Sequence, residues 1–72
     1  MNVMTLAMAR EGEINKIKKI TGRDNVRQFL AKLGFIEGES VTVISEVSGN
    51  MIINVKDSRI AIGKSMANRI II

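Results

Sequence analysis

From residue 24 the apolar positions fall at helical spacing, with Val26, Phe29, Leu30 and Leu33 recurring between Arg27, Gln28, Ala31 and Lys32 on other faces. Asp24 is an N-cap residue type and Gly34 can adopt positive φ just past the last apolar position, so the pattern predicts a helix from 24 to 33. Beyond the helix the period shortens to that of a strand. Ser40 to Val47 reads as a strand with Val41, Val43 and Val47 on one face, Met51 to Lys56 as a second with Met51, Ile53 and Val55 alternating, and Arg59 to Ile62 as a third. Ser48-Gly49-Asn50 and Asp57-Ser58 form the turns between them, and Glu37-Gly38-Glu39 forms one ahead of them. Gly63 to Asn68 makes a helical turn before a last strand, Arg69 to Ile72, whose hydrophobic residues need a pairing partner.

The stretch from Gly12 to Gly22 is less decided by pattern, because Ile14, Ile17 and Ile20 are spaced by three, which suits a helical turn as well as a bulged strand. Its flanking glycines and β-branched content favour a strand, against which the last strand can close a barrel. The resulting expectation is a mainly β fold with one or two short helices, its principal helix inserted after the first strand. The 72 residues fit one domain, 1–72, with no internal repeat, linker or low-complexity segment.

Composition agrees with that reading and narrows the chemistry. Hydrophobic residues make up 46% of the chain, with twelve Ile and six Val, a bias that argues against an all-helical bundle. There is no Cys and no His, which removes disulfides and the usual zinc, haem and iron–sulfur ligand sets. No apolar run reaches the roughly 18 residues of a membrane helix, and the first residues lack a basic segment followed by a long apolar core, so a soluble cytoplasmic protein is expected.

Residues 10–32 carry seven basic side chains against three acidic ones, while the remainder balances at four of each, so the whole net charge of +4 lies on the first strand and the helix. Such a face suits an acidic partner surface or nucleic acid, or serves only to keep an Ile-rich domain in solution.

The sequence holds few candidates for chemistry. Gly63-Lys64-Ser65 resembles the end of a phosphate-binding loop, but Ser58 stands where the loop's first Gly belongs, and the chain is too short for the accompanying α/β sheet. Met1, Met4, Met8, Met51 and Met66 are scattered and lack the His or Cys that would make them a soft-metal site. Glu11 with Glu13, and Glu37 with Glu39, are close carboxylate pairs better explained by turn solvation than by a hard cation. Without His, no nucleophile–base constellation of the usual kind forms, and neither catalysis nor a cofactor is expected.

The order of motifs resembles the FeoA family. The residues that carry the likeness are Met4-Thr5-Leu6, Gly12-Glu13-Ile14 with Ile17 and Gly22, then Leu30, Leu33-Gly34-Phe35 and Gly38. Val41, Val43, Gly49, Ile60-Ala61-Ile62, Ala67, Ile70 and Ile72 extend it over nearly the whole chain. The chain departs from the family pattern at Glu37 and Asn50, where prolines are common, and at Ile62-Gly63, where a Leu-Arg pair is frequent.

The resemblance implies a small SH3-like five-stranded β-barrel, non-catalytic and cytoplasmic, accessory to bacterial ferrous-iron uptake. It also implies a partner, the cytoplasmic region of the FeoB transporter, which carries a GTP-binding domain. On this chain the docking surface is expected on the helix and its exit, with Arg23, Arg27 and Lys32 steering and Phe35 and Ile36 as apolar anchors. The competing role for Phe35 and Ile36 is to staple the helix to the barrel. Two further readings stand beside this one. The same barrel occurs as the C-terminal domain of metal-dependent transcriptional repressors, and Lys16, Lys18, Lys19, Arg23 and Arg27 could grip nucleic acid, though two Phe and no Tyr or Trp leave little for base stacking. Edge strands and Ile-rich surface also allow a homo-oligomer.

Overall fold

The computed structural model describes residues 3–22 and 24–72. In chain order it contains a 3-10 turn at Leu6–Met8, β1 (Ile14–Lys16), β2 (Lys19–Ile20), α1 (Asp24–Lys32), β3 (Ser40–Val47), β4 (Asn50–Val55), β5 (Ser58–Gly63), α2 (Lys64–Ala67) and β6 (Ile70–Ile71). The fold is mainly β with two short helices, as the period change along the chain implies.

The expected first strand is broken in two. β1 joins a four-stranded antiparallel sheet in the order β1-β3-β4-β5, and β2 pairs with β6 in a second sheet. The division falls at Ile17 and Lys18 because hydrogen bonding changes sides there. Ile17 N–H donates to the Glu39 carbonyl at 2.9 Å, and Lys18 N–H donates to the Ile71 carbonyl at 2.7 Å. One bent strand thus serves both sheets, so counting it once leaves five strands around one core. The β2–β6 pairing supplies the partner that the hydrophobic last strand requires. The N-terminal segment adds to β6 from the other side through a Thr5–Ile71 bridge and an Ile72 N–H to Met4 carbonyl bond of 2.9 Å.

β3 corrects a second expectation. Val41 and Val43 are buried as read, but Val47 is 57% exposed. The pairing shifts register between Val43 and Ser45, so one extra residue on β3 turns everything beyond it to the opposite face. Hydrophobic alternation cannot reveal an inserted residue when Val, Ile and Ser follow one another. β4 behaves as predicted, with Met51, Ile53 and Val55 all buried. The β3–β4 hairpin turns on Ser48 and Gly49, both at positive φ (50° and 82°), the geometry that matches the strand twist.

Leu6, Ile17, Ile20, Leu30, Phe35, Val41, Val43, Met51, Ile53, Val55, Ile62, Ala67 and Ile70 form the core. No described buried side-chain polar atom lacks a hydrogen-bond partner. α1 contributes Leu30 to this core, with Val26 and Leu33 packed at its margin. Phe29, expected on the same stripe, is 49% exposed. It lies about 60° around the helix from Val26, on the far side from Leu30, and falls off the buried stripe. α1 begins at Asp24 itself, so this residue is the first of the helix rather than its N-cap, and the preceding position lies outside the described residues.

Candidate docking site at the helix exit

α1 leaves the barrel surface through two linked turns. Phe35 N–H donates to the Leu30 carbonyl and Gly34 N–H to the Ala31 carbonyl, each at 3.0 Å, the paired bonds of a Schellman cap. Gly34 carries φ 107°, and its surroundings are those of ordinary contact, with Val55 Cγ2 3.5 Å from where a Cβ would stand. The conformation, not the space, is what demands glycine here. The chain then reverses over Ile36–Glu39, closed by a Glu39 N–H to Ile36 carbonyl bond of 3.1 Å, with Gly38 at φ 88° in the third position. That is a type II turn. It is fastened to the bent strand by a 2.8 Å bond from Gly38 N–H to the Ile17 carbonyl.

Between α1 and this turn lies an open groove of about 460 Å³. Buried Ile20 and Phe35 form its floor, Ala31 and Ile36 its apolar walls, and Arg27, Gln28 and Glu37 its polar rim. Its volume is within the roughly 300–1,000 Å³ range of clefts that hold ligands. Among the described residues the ion pair is Lys64 Nζ to Glu46 Oε2 at 2.8 Å, and neither residue lines this groove.

The expected docking residues divide. Arg27, Phe35 and Ile36 meet at the groove. Phe35 is fully buried, so it performs the stapling role and offers the groove a floor, whereas Ile36 is 42% exposed. Lys32 is exposed but stands about 140° around the helix from Arg27, off the groove. Arg23 lies outside the described residues. Ile20, Gln28, Ala31 and Glu37 line the groove without having been singled out from the sequence. The spacing of Arg27 and Ala31, four apart on one helix face, marks two of the wall positions; Ile20 reaches them only through the fold.

Among the described residues there is no group of three or more His, Cys, Asp or Glu placed to hold a metal ion. No described helix is long and apolar enough to cross a membrane.

A family model described as FeoA domain matches residues 4–72. The chain belongs to the FeoA domain family. A Methanocaldococcus jannaschii protein named Fe(2+) transport protein A is 39% identical over 67 residues, covering 93% of this chain and 82% of that protein. A crystal structure of an iron uptake regulatory protein, FeoA, superposes with a TM-score of 0.88 at 31% identity, covering 97% and 95% of the two chains. Stenotrophomonas maltophilia FeoA, solved with zinc, matches at TM-score 0.81 and 23% identity over 93% and 86%. That protein is described as a prokaryotic SH3 domain protein and put forward as a ferrous iron transport activating factor. A manganese-dependent transcriptional repressor shares the fold at TM-score 0.86 and 16% identity, with 97% of this chain covering 40% of that one. The bent strand, two sheets and α2 before β6 are thus the SH3-like FeoA fold, and in this FeoA domain the helix-exit groove is an open concavity between α1 and the turn that follows it.

Proposed function

We propose that this FeoA domain is a non-catalytic cytoplasmic accessory protein of ferrous iron uptake that docks on the cytoplasmic region of the FeoB transporter and regulates or assembles it. Membership of the family over residues 4–72 supports the pathway. The observation that carries docking is the groove itself, where an apolar floor of Ile20 and Phe35 opens between exposed Ile36 and exposed Arg27. An apolar cleft with a charged rim supplies burial for one partner side chain and electrostatic steering for the approach. Lys32, on another flank of α1, adds to the long-range field rather than to the contact.

Calorimetric titration of the protein into the transporter's cytoplasmic region, with GDP or a GTP analogue and at two salt concentrations, tests this reading. Saturable binding weakened by salt supports it, and nucleotide dependence selects regulation over assembly. Absence of binding in every condition overturns docking at that region.

The second reading is a freestanding regulatory barrel like the one in manganese-dependent repressors, favoured by the shared fold across 97% of this chain. A nucleic-acid role is weaker, because Phe29 is the one aromatic ring with substantial exposure among the described residues, at 49%. Competition by oligonucleotides in the same titration separates the nucleic-acid reading from transporter docking.

A further inference from the structure

β5 lies at one end of the four-stranded sheet and pairs with β4 alone, so its other side is a free edge. The two-residue turn at Lys56 and Asp57 makes Val55 and Ser58 the closing pair of the hairpin. Alternation then aims the backbone groups of Ser58, Ile60 and Ile62 at β4, and those of Arg59, Ala61 and Gly63 away from it. Among the described residues the N–H groups of these last three, and the carbonyls of Arg59 and Ala61, find no backbone partner on that side.

Natural edges are blunted by shortness, a bulge, a proline or an inward charge. β5 has six residues in unbroken register with β4 and contains no proline, whereas β1, at the other edge, has three and carries Lys16. The outer side chains of β5 extend rows that cross the sheet. Arg59 ends the row that runs from Ile14 through Thr42 and Asn54, and Ala61 ends the next one, beside Ile52. Neither row contains an acid to oppose Arg59. Arg59 and Ala61 are exposed, and Ile60 between them is half-buried at the margin of the core.

We propose that β5 accepts an added antiparallel strand from a partner protein, an extended segment with a β-branched residue opposite Ala61, an apolar one opposite Ile60 and an acid opposite Arg59. Backbone groups of the edge supply attachment, and Arg59 supplies selection. Small Ala61 leaves a shallow step beside half-buried Ile52, which a branched side chain covers. An acidic segment also suits the net charge of +4 on the chain. No residue of β4 or β5 lines the helix-exit groove, so this strand site is separate from transporter docking, and either can fail without the other.

Nuclear magnetic resonance titration of the full chain with the acetylated and amidated peptide Thr-Thr-Val-Ile-Glu-Thr tests it. The expected result is saturable shifts centred on the amides of Arg59, Ala61 and Gly63, with slower solvent exchange at those amides and no change at Ala31 or Ile36. Replacing the peptide's Glu by Lys weakens binding about fivefold or more. Arg59→Glu inverts that preference, so the Lys peptide becomes the tighter one. Ala61→Pro removes binding of both peptides, and because the Ala61 N–H points away from β4 the substitution spares the hairpin ladder. An unchanged spectrum elsewhere shows that the variant is folded, and if it is not, the Arg59→Glu inversion decides. Absence of saturable shifts overturns the proposal, as do equal binding of the two peptides, binding that survives Ala61→Pro in a folded chain, or shifts centred on the helix-exit groove. Edge amides whose protection rises with protein concentration in the absence of peptide also overturn it, since a second copy then fills the edge.

Discussion

Phe35 N–H donates to the Leu30 carbonyl across 3.0 Å while both side chains are wholly buried, so the residue that closes the last turn of α1 is also one that joins the helix to the barrel. Backbone cap and core packing are the same event here, and the floor of the groove is its product.

Phe35→Ala is therefore expected to cost about 3–5 kcal/mol through lost burial and the cavity left behind. A small domain sits near the low end of the usual range of roughly 5–15 kcal/mol, so the variant should be largely unfolded in mild denaturant. Gly34→Ala leaves the packing intact and forces an alanine toward φ 107°, for an expected loss of about 1–2 kcal/mol or more. Urea titration of the two variants measures both.

Glu37 stands at the second position of the type II turn, its φ is not positive, and its N–H makes no backbone hydrogen bond among the described residues. Proline suits that position, and Glu37→Pro should stabilise by about 0.4–1 kcal/mol by restricting the unfolded chain. Thermal unfolding reads this as a rise of about 2–8 °C in Tm for a domain of this size. A fall in Tm would mean that the turn needs the residue it has.

Arg69 lies across Gly22, with its Nη1 only 2.9 Å from where a Cβ at Gly22 would stand. Gly22→Ala should destabilise by about 1–3 kcal/mol, chiefly through the backbone at φ 120°, because the Arg69 guanidinium is the far end of a flexible side chain and swings aside. Adding Arg69→Ala should therefore recover little of the loss, and a thermodynamic cycle by urea titration should give a coupling near zero.

Arg27→Glu reverses the charge on the helix wall of the groove without touching the core. Affinity for the transporter's cytoplasmic region should fall about 10-fold or more at low salt, mainly through slower association, and the difference from the parent should shrink as salt rises. Stopped-flow association at several ionic strengths checks it. Equal rates for parent and variant would remove Arg27 from the docking surface.

Much of the fold was legible because it rests on local rules. A helix period from Val26 to Leu33 with Gly34 behind it, and alternation at Met51, Ile53 and Val55, depend only on which side of an element each residue faces, and the structure has both. The likeness to the FeoA family was equally a property of residue order, and the family match over 4–72 bears it out. Of the candidate site, Arg27 and Ile36 were readable as exposed groups around a helix end.

Other features depend on residues far apart in the chain. The break at Ile17 and Lys18 arises because Glu39 and Ile71 approach from opposite sides, the bulge after Val43 because β4 pairs in a shifted register, and the groove because Ile20 passes beneath Ala31 and Ile36. Local periodicity determined the elements and their buried faces, since each depends on a few neighbouring residues. The tertiary structure alone decided where one strand divides between two sheets, whether Phe35 is an anchor or a floor, and which charges share a rim, because hydrogen bonds and burial across the barrel set those outcomes.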